Sequence, residues 1–180
     1  MRLASEITRS PASPPSVSMT RFFSNLLDEG RMKIKFKHTN IIARDWQALA
    51  AFYEEVFGCV RVPPERHLEG AWLDRGTAVP GARFSGVHLR LPGHGENGPT
   101  LEIYQYGRNE PKPPPAANRE GFAHIAFEVE DVEHATAAVL RHGGSKVGEI
   151  SSSPVEGVGL LTFVYLADPE GNIIELQAWK

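Results

Sequence analysis

Hydrophobic and polar positions along this chain follow two rhythms, and both rhythms occur twice in the same order. Ile125, Phe127 and Val129 alternate with Ala126 and Glu128, the period of a strand with two unlike faces. The period then lengthens. Val132, Ala135 and Val139 fall at i, i+3 and i+7, with Asp131 placed as N-cap and Gly143 and Gly144 as a stop, which predicts a helix. Earlier in the chain Asp45 takes the cap position, Trp46, Leu49, Phe52 and Val56 form the stripe, and Gly58 closes it. Further strands are predicted near 60–62, 84–91 and 101–106, and again near 147–150, 160–166 and 173–179. Each half reads strand–helix–strand–strand–strand, an α+β arrangement.

The halves also align residue by residue. Segment 36–58 lies on 122–144 without a gap, placing Phe36 on Phe122, His38 on His124, Asp45 on Asp131 and Gly58 on Gly144. Later, PTLEIYQY lies on NIIELQAW, with Glu102 on Glu175. Few aligned positions are identical, so the shared feature is a pattern. Strand parity says where these side chains point. If Ile125, Phe127 and Val129 pack under the helix, His124 faces the other way. Leu101 and Ile103 likewise leave Glu102, Tyr104 and Tyr106 on the far face, and Ile174, Leu176 and Ala178 leave Glu175, Gln177 and Trp179 there. His38 shares its face with Asn40 and Ile42. All four of His38, Glu102, His124 and Glu175 are therefore expected on one concave surface backed by helices.

Two imidazoles and two carboxylates make a donor set for one divalent ion per chain, with zinc, nickel, cobalt, manganese and iron all admissible. Read alone, each histidine is an ordinary hydrogen-bonded strand residue. A glutamate among Ile and Leu is less ordinary, because an unpaired buried carboxylate is costly. The agreement of all four in position and parity carries the metal reading. His67, His94, His134 and His142 lack such partners; His134 and His142 are expected on a helix surface and His94 in the turn-like PGHGENGP. His88, in mid-strand, is expected to line the pocket.

Composition narrows the classes. The 180 residues are 41% hydrophobic and 23% charged, as in a soluble globular protein. A net charge of −3 gives no footprint for nucleic acid or an anionic membrane. The single cysteine, Cys59, excludes an intrachain disulfide and fits a reducing compartment, so a cytoplasmic location is expected. No apolar run approaches the roughly 18 residues of a membrane span. Residues 1–31 differ from the rest: SPASPPSVS marks a mobile extension, and TRFFSNLLDEG is expected to form one or two helical turns behind Thr20. The expected division is extension 1–31, first module 32–110, a connector at 111–119 stiffened by PKPPP, and second module 120–180.

The segments HTNIIARDWQALAAFYEEVFG, GFAHIAFEVEDVEHA and LADPEGNIIELQ resemble the vicinal oxygen chelate superfamily, and within it glyoxalase I and methylmalonyl-CoA epimerase. The resemblance covers 33–180, and its most specific piece is DPEGNIIEL. It implies two tandem βαβββ modules whose strands form an eight-stranded mixed-sheet cup around one divalent metal, held by His38, Glu102, His124 and Glu175. Glyoxalase I enzymes carry an arginine four residues after the first ligand and an asparagine four after the second, both used to hold glutathione. Here those places are Ile42 and Tyr106, so a less anionic substrate is expected, lined by Asn40, Ile42, His88, Tyr104, Tyr106, Gln177 and Trp179.

The expected activity is metal-dependent proton transfer of the isomerase or lyase type on a small molecule chelating through vicinal oxygens. The metal would polarise a carbonyl, and Glu175 first, or Glu102, would act as base. An iron-dependent extradiol-type dioxygenase is the first alternative, although a carboxylate at Glu102 would occupy an oxygen position. A metal-free drug-binding protein of the bleomycin-resistance type is the second, and a regulatory module whose site no longer turns over is the third. A cup of this kind exposes edge strands, and family members often pair modules between chains, so a two-fold homodimer is expected.

Overall fold

Two aspartates start the two long helices, as their positions predict. In the computed structural model, which describes residues 33–180, the order is β1 (His38–Ile42), α1 (Trp46–Phe57), β2 (Val60–Glu69), α2 (Ala71–Thr77), β3 (Arg83–Arg90) and β4 (Thr100–Tyr106). There follow β5 (Ile125–Glu128), α3 (Val132–Arg141), β6 (Ser145–Lys146), β7 (Ser151–Val155), β8 (Gly159–Ala167) and β9 (Ile173–Trp179). The expected extension 1–31, with its helical turns, lies outside the described residues. Asp45 accepts from the backbone N–H groups of Gln47 and Ala48 at 3.1 Å each, and Asp131 accepts from that of His134 at 2.9 Å. Each bond satisfies a donor that the first helical turn leaves unpaired. Gly58 ends α1 in the left-handed region at φ 66°, where a side chain would add strain.

The strands form two mixed sheets rather than a closed barrel. The first runs β1-β4-β3-β2 and the second β5-β9-β8-β6, with β7 also paired to β8. β1 lies parallel to β4 and β5 parallel to β9; the other pairings are antiparallel. β1, which begins at His38, and β5, which His124 immediately precedes, are therefore the edges of their sheets.

Among the described residues the expected eight strands become nine. No strand covers 147–150; β6 and β7 flank that stretch instead. β7 is built from SSSPV, which has little intrinsic strand signal, and its ladder to β8 imposes the conformation. β2 continues to Glu69 instead of stopping at 62, with a register irregularity between Val62 and Arg66 where Pro63 and Pro64 cannot donate to the ladder. α2 was not signalled because Gly70, at its start, offers no side-chain cap.

The parity rule holds in the core. Val87, Leu89, Leu101 and Ile103 of the first sheet join Val164, Leu166, Ile174 and Leu176 of the second, with Leu49, Phe52, Val132 and Val139 from the helices, in one buried cluster. Phe57 of α1 stacks on Phe127 of β5 at 4.1 Å, so the modules share apolar contacts.

A polar clasp also joins them. The DPEGN turn, between β8 and β9, brings the carboxylate of Asp168 to the Tyr53 hydroxyl of α1 at 3.1 Å, in full burial. Asp168 accepts further from the backbone N–H of Glu170 and Asn172 and from the Asn172 side-chain amide, so the buried charge is met on both oxygens. Burial, with Asp168 alongside, raises the Tyr53 phenol well above its ordinary pKa and keeps it a donor. The next acidic residue of the turn, Glu170, accepts from the backbone N–H of Arg44 at 2.7 Å and of Asp45 at 2.8 Å, just before α1. No helix among the described residues is long and apolar enough to cross a membrane.

Candidate metal centre

Each sheet carries one of the two expected histidine–glutamate pairs. In the first sheet Glu102, in β4, has Asn40 of β1 and His88 of β3 as its register neighbours. Its Oε1 lies 3.2 Å from His38 Nδ1 and 3.0 Å from His88 Nε2, and its Oε2 lies 3.4 Å from Asn40 Nδ2. The carboxylate is buried between its neighbours. His88 Nε2 is also 2.7 Å from the Tyr104 hydroxyl, and His88 Nδ1 is 3.4 Å from Thr100 Oγ1.

Gly86, opposite Tyr104 in the register, makes this possible: a Cβ there would collide with the Tyr104 ring and the Ile103 carbonyl. Phe84 stacks on the other side of Tyr104 at 4.5 Å. Burial lowers the His88 pKa against the opposing pull of Glu102, and burial next to Glu102 pushes Tyr104 up to about 12. Near neutral pH this leaves a neutral imidazole and a protonated phenol.

In the second sheet His124 Nε2 lies 2.9 Å from Glu175 Oε2. The residue opposite Glu175 on the neighbouring strand is Tyr165, whose ring centre stands 4.9 Å from that of His124. Phe163 lies opposite Gln177 and Leu161 opposite Trp179, so the face beyond Glu175 is largely aromatic.

The donor chemistry fits a divalent ion. The 2.9 and 3.2 Å nitrogen–oxygen separations of the two pairs are hydrogen-bond distances, and ligands on ~2.1 Å bonds at right angles would stand about 3.0 Å from each other as well. The four residues do not gather around one point within the chain. Among the described residues no group of three or more His, Cys, Asp or Glu side chains is arranged to hold an ion.

Of the expected lining, Asn40 reaches Glu102 and Tyr104 reaches His88, while Ile42 and Tyr106 border an open cleft of about 1220 Å³ that extends from Asn40 to Arg83 and Arg108. That cleft shares Asn40, Ile42 and Tyr106 with the face of β1 and β4 that carries His38 and Glu102. Gln177 and Trp179 belong to the second sheet's face. His134 is exposed on α3, and His142 caps the same helix, its ring bonded to the Ala138 carbonyl.

Phe84, Phe163 and Tyr165 complete the two faces and were not anticipated. Their signal was present, because Val164 and Leu166 on the helix side of β8 force Phe163 and Tyr165 outward. The contact of His88 with Glu102 depends on the β3–β4 register, which alternation alone does not define.

The comparisons bear on the family and the fold. Residues 35–176 match the family model of the Glyoxalase/Bleomycin resistance protein/Dioxygenase superfamily. A glyoxalase family protein from Bacillus cereus is similar in structure with a TM-score of 0.70 and 19% identity, over 83% of this chain and 97% of that one. A glyoxalase family protein from Enterococcus faecalis matches with a TM-score of 0.53 and 23% identity, over 79% and 96%. A glyoxylase/bleomycin resistance protein/dioxygenase domain from Frankia sp. EAN1pec matches with a TM-score of 0.53 and 14% identity, over 83% and 100%. No curated protein matches the chain. The doubled module, the two mixed sheets and the family match over most of the described residues agree: the chain belongs to the Glyoxalase/Bleomycin resistance protein/Dioxygenase superfamily.

Proposed function

We propose that this protein is a divalent-metal-dependent enzyme of the isomerase or lyase type, moving a proton on a small substrate that chelates through vicinal oxygens. The observation that carries the reading is the recurrence of a histidine–glutamate pair, at equivalent strand positions and near ligand spacing, in both modules. His38, Glu102, His124 and Glu175 would hold one ion per site, and the bound ion would supply Lewis acidity to a substrate carbonyl. Glu175 then takes the proton from the carbon beside that carbonyl and returns it. Asn40, Tyr104 and Gln177 offer polar groups to the substrate, while Ile42, Phe163 and Trp179 offer apolar surface. The free and buried Cys59 fits work in the reducing cytoplasm.

Because the two pairs remain apart within one chain, the reading includes a two-fold homodimer in which each site takes His38 and Glu102 from one chain and His124 and Glu175 from its partner. The edge positions of β1 and β5 support this, since unpaired edges need covering. The test is complementation. Chains lacking His38 and Glu102 are mixed, by unfolding and refolding together, with chains lacking His124 and Glu175. Neither variant alone should bind metal stoichiometrically. Mixed dimers should regain one intact site each, together with whatever activity the wild type shows. Failure to recover metal, with mixed dimers verified by mass, would refute the shared site. Wild-type protein purified without added metal and found free of it, and taking up none, would refute the metal reading itself.

A further inference from the structure

The two candidate carboxylates are not held alike. Glu102 Oε1 stands 3.0 Å from His88 Nε2 as well as 3.2 Å from His38 Nδ1, and Asn40 approaches its other oxygen at 3.4 Å. Glu175, in the equivalent place, has His124 as its polar contact, and the side chain opposite it is Tyr165. The first module thus has an imidazole where the second has a phenol.

The His88 ring is itself fixed. Tyr104 Oη lies 2.7 Å from Nε2, Thr100 Oγ1 lies 3.4 Å from Nδ1, and the Tyr104 ring is seated over Gly86 and stacked on Phe84. A carboxylate oxygen 3.0 Å from a ring nitrogen repels a lone pair and attracts a proton, so Nε2 is the nitrogen that carries the hydrogen. That N–H is shared between Glu102 Oε1 and Tyr104 Oη. Its engagement with Tyr104 also takes Nε2 out of contention as a metal donor.

We propose that His88, braced by Tyr104 on the Gly86 seat, is a positioning residue that fixes Glu102 for metal binding and makes it the permanent carboxylate of the site. This rests on the metal-site reading above. Hydrogen bonds to a ligating carboxylate set its orientation and basicity, and their loss weakens metal binding without removing a ligand. Glu175, with no counterpart of His88, is left as the carboxylate that can swing away from the ion.

The experiment compares wild type, His88→Ala, His88→Gln, Tyr104→Phe and Glu102→Ala as full-length chains, with folding checked by circular dichroism. Zinc stoichiometry and affinity are measured by competition with a chromophoric chelator. In metal-free protein the His88 tautomer is read from the ¹⁵N shifts of its ring. His88→Ala should keep the wild-type stoichiometry and lose affinity by about tenfold to a hundredfold. His88→Gln, whose amide can still donate to Glu102, should recover most of that loss, and Tyr104→Phe should show a smaller one. Glu102→Ala should lose stoichiometric binding. Wild type should show hydrogen at Nε2.

His88→Ala within twofold of wild type would overturn the role, and so would loss of stoichiometry like that of Glu102→Ala, which would make His88 a ligand. Hydrogen at Nδ1 in the wild type would also overturn it. Wild type with the Nε2 tautomer but no zinc uptake would bring down the metal reading and this role together. Zinc uptake indifferent to His88 would bring down the role alone.

Discussion

Glu102 and Glu175 occupy equivalent positions in two copies of one pattern, but their surroundings differ. Glu102 is buried among His38, His88 and Asn40, on a face where Phe84, Tyr104 and His88 form a continuous row. Glu175 meets His124 beside Tyr165 and Phe163, a pair of rings 5.7 Å apart. The two modules share the histidine and the glutamate and differ in the residue opposite the glutamate, His88 in one and Tyr165 in the other. On the proposed reading, the difference separates two requirements of such a site, a ligand that stays in place and a carboxylate able to move a proton. Equal positions do not impose equal roles, because the role depends on which strand neighbour the register supplies.

The strongest way to break this comparison is to remove its members. Replacing His124 or Glu175 by Ala should abolish stoichiometric metal binding as fully as Glu102→Ala, measured by elemental analysis of protein purified without added metal. Full metal retention in both second-module variants would confine the site to the first sheet. Glu175→Gln, which keeps the shape and removes the base, should slow solvent deuterium exchange into an accepted substrate by roughly 10²–10⁴-fold.

The methylglyoxal–glutathione adduct should be turned over weakly or not at all by metal-loaded protein, because Ile42 and Tyr106 provide no cation for its carboxylates. Robust turnover, lost in Glu175→Gln, would show that other residues hold the glutathione, with Arg83 at the cleft the first to test.

Smaller effects probe what the two modules share. Asp168→Ala should cost about 3 kcal/mol in urea unfolding, because it leaves the buried Tyr53 hydroxyl and the turn's donors without their acceptor. Tyr53→Phe should cost less, about 1 kcal/mol for one hydrogen bond.

Cys59 provides the mildest signature, in pH dependence. Burial raises its thiol from 9.0 to about 12. The unfolded chain therefore releases this proton first as pH rises, and the contribution of the neutral buried thiol is intact below pH 9 and lost between 9 and 12. The thermal midpoint of wild type should consequently fall more steeply than that of Cys59→Ala over that range, with calorimetry as the check.

Much of this was legible in the sequence because it depends on short-range rules. The caps at Asp45 and Asp131, the stop at Gly58 and the inward sets ending at Ile103 and Ala178 follow from spacing alone. Where the reading failed, pairing decided the outcome. SSSPV becomes β7 because β8 offers a ladder, and α2 forms behind a glycine that gives no cap signal. The site divides along the same line. Parity placed Glu102, Tyr104 and Glu175 on faces turned away from the helices. It could not show that His88 falls directly opposite Glu102, which is set by register, or that the two pairs stay apart, which is set by the packing of the modules.

The grip of Glu170 on the start of α1 has a consequence for how this chain can be divided. A turn just ahead of the last strand satisfies the backbone amides of Arg44 and Asp45, far earlier in the sequence. A first half expressed alone would carry a helix whose lead-in amides have lost their acceptor and a Phe57 whose stacking surface is missing. The two halves are therefore not independent units. Cut within the 111–119 connector, the fragments should behave as a split protein, weakly ordered apart and complementing each other on mixing.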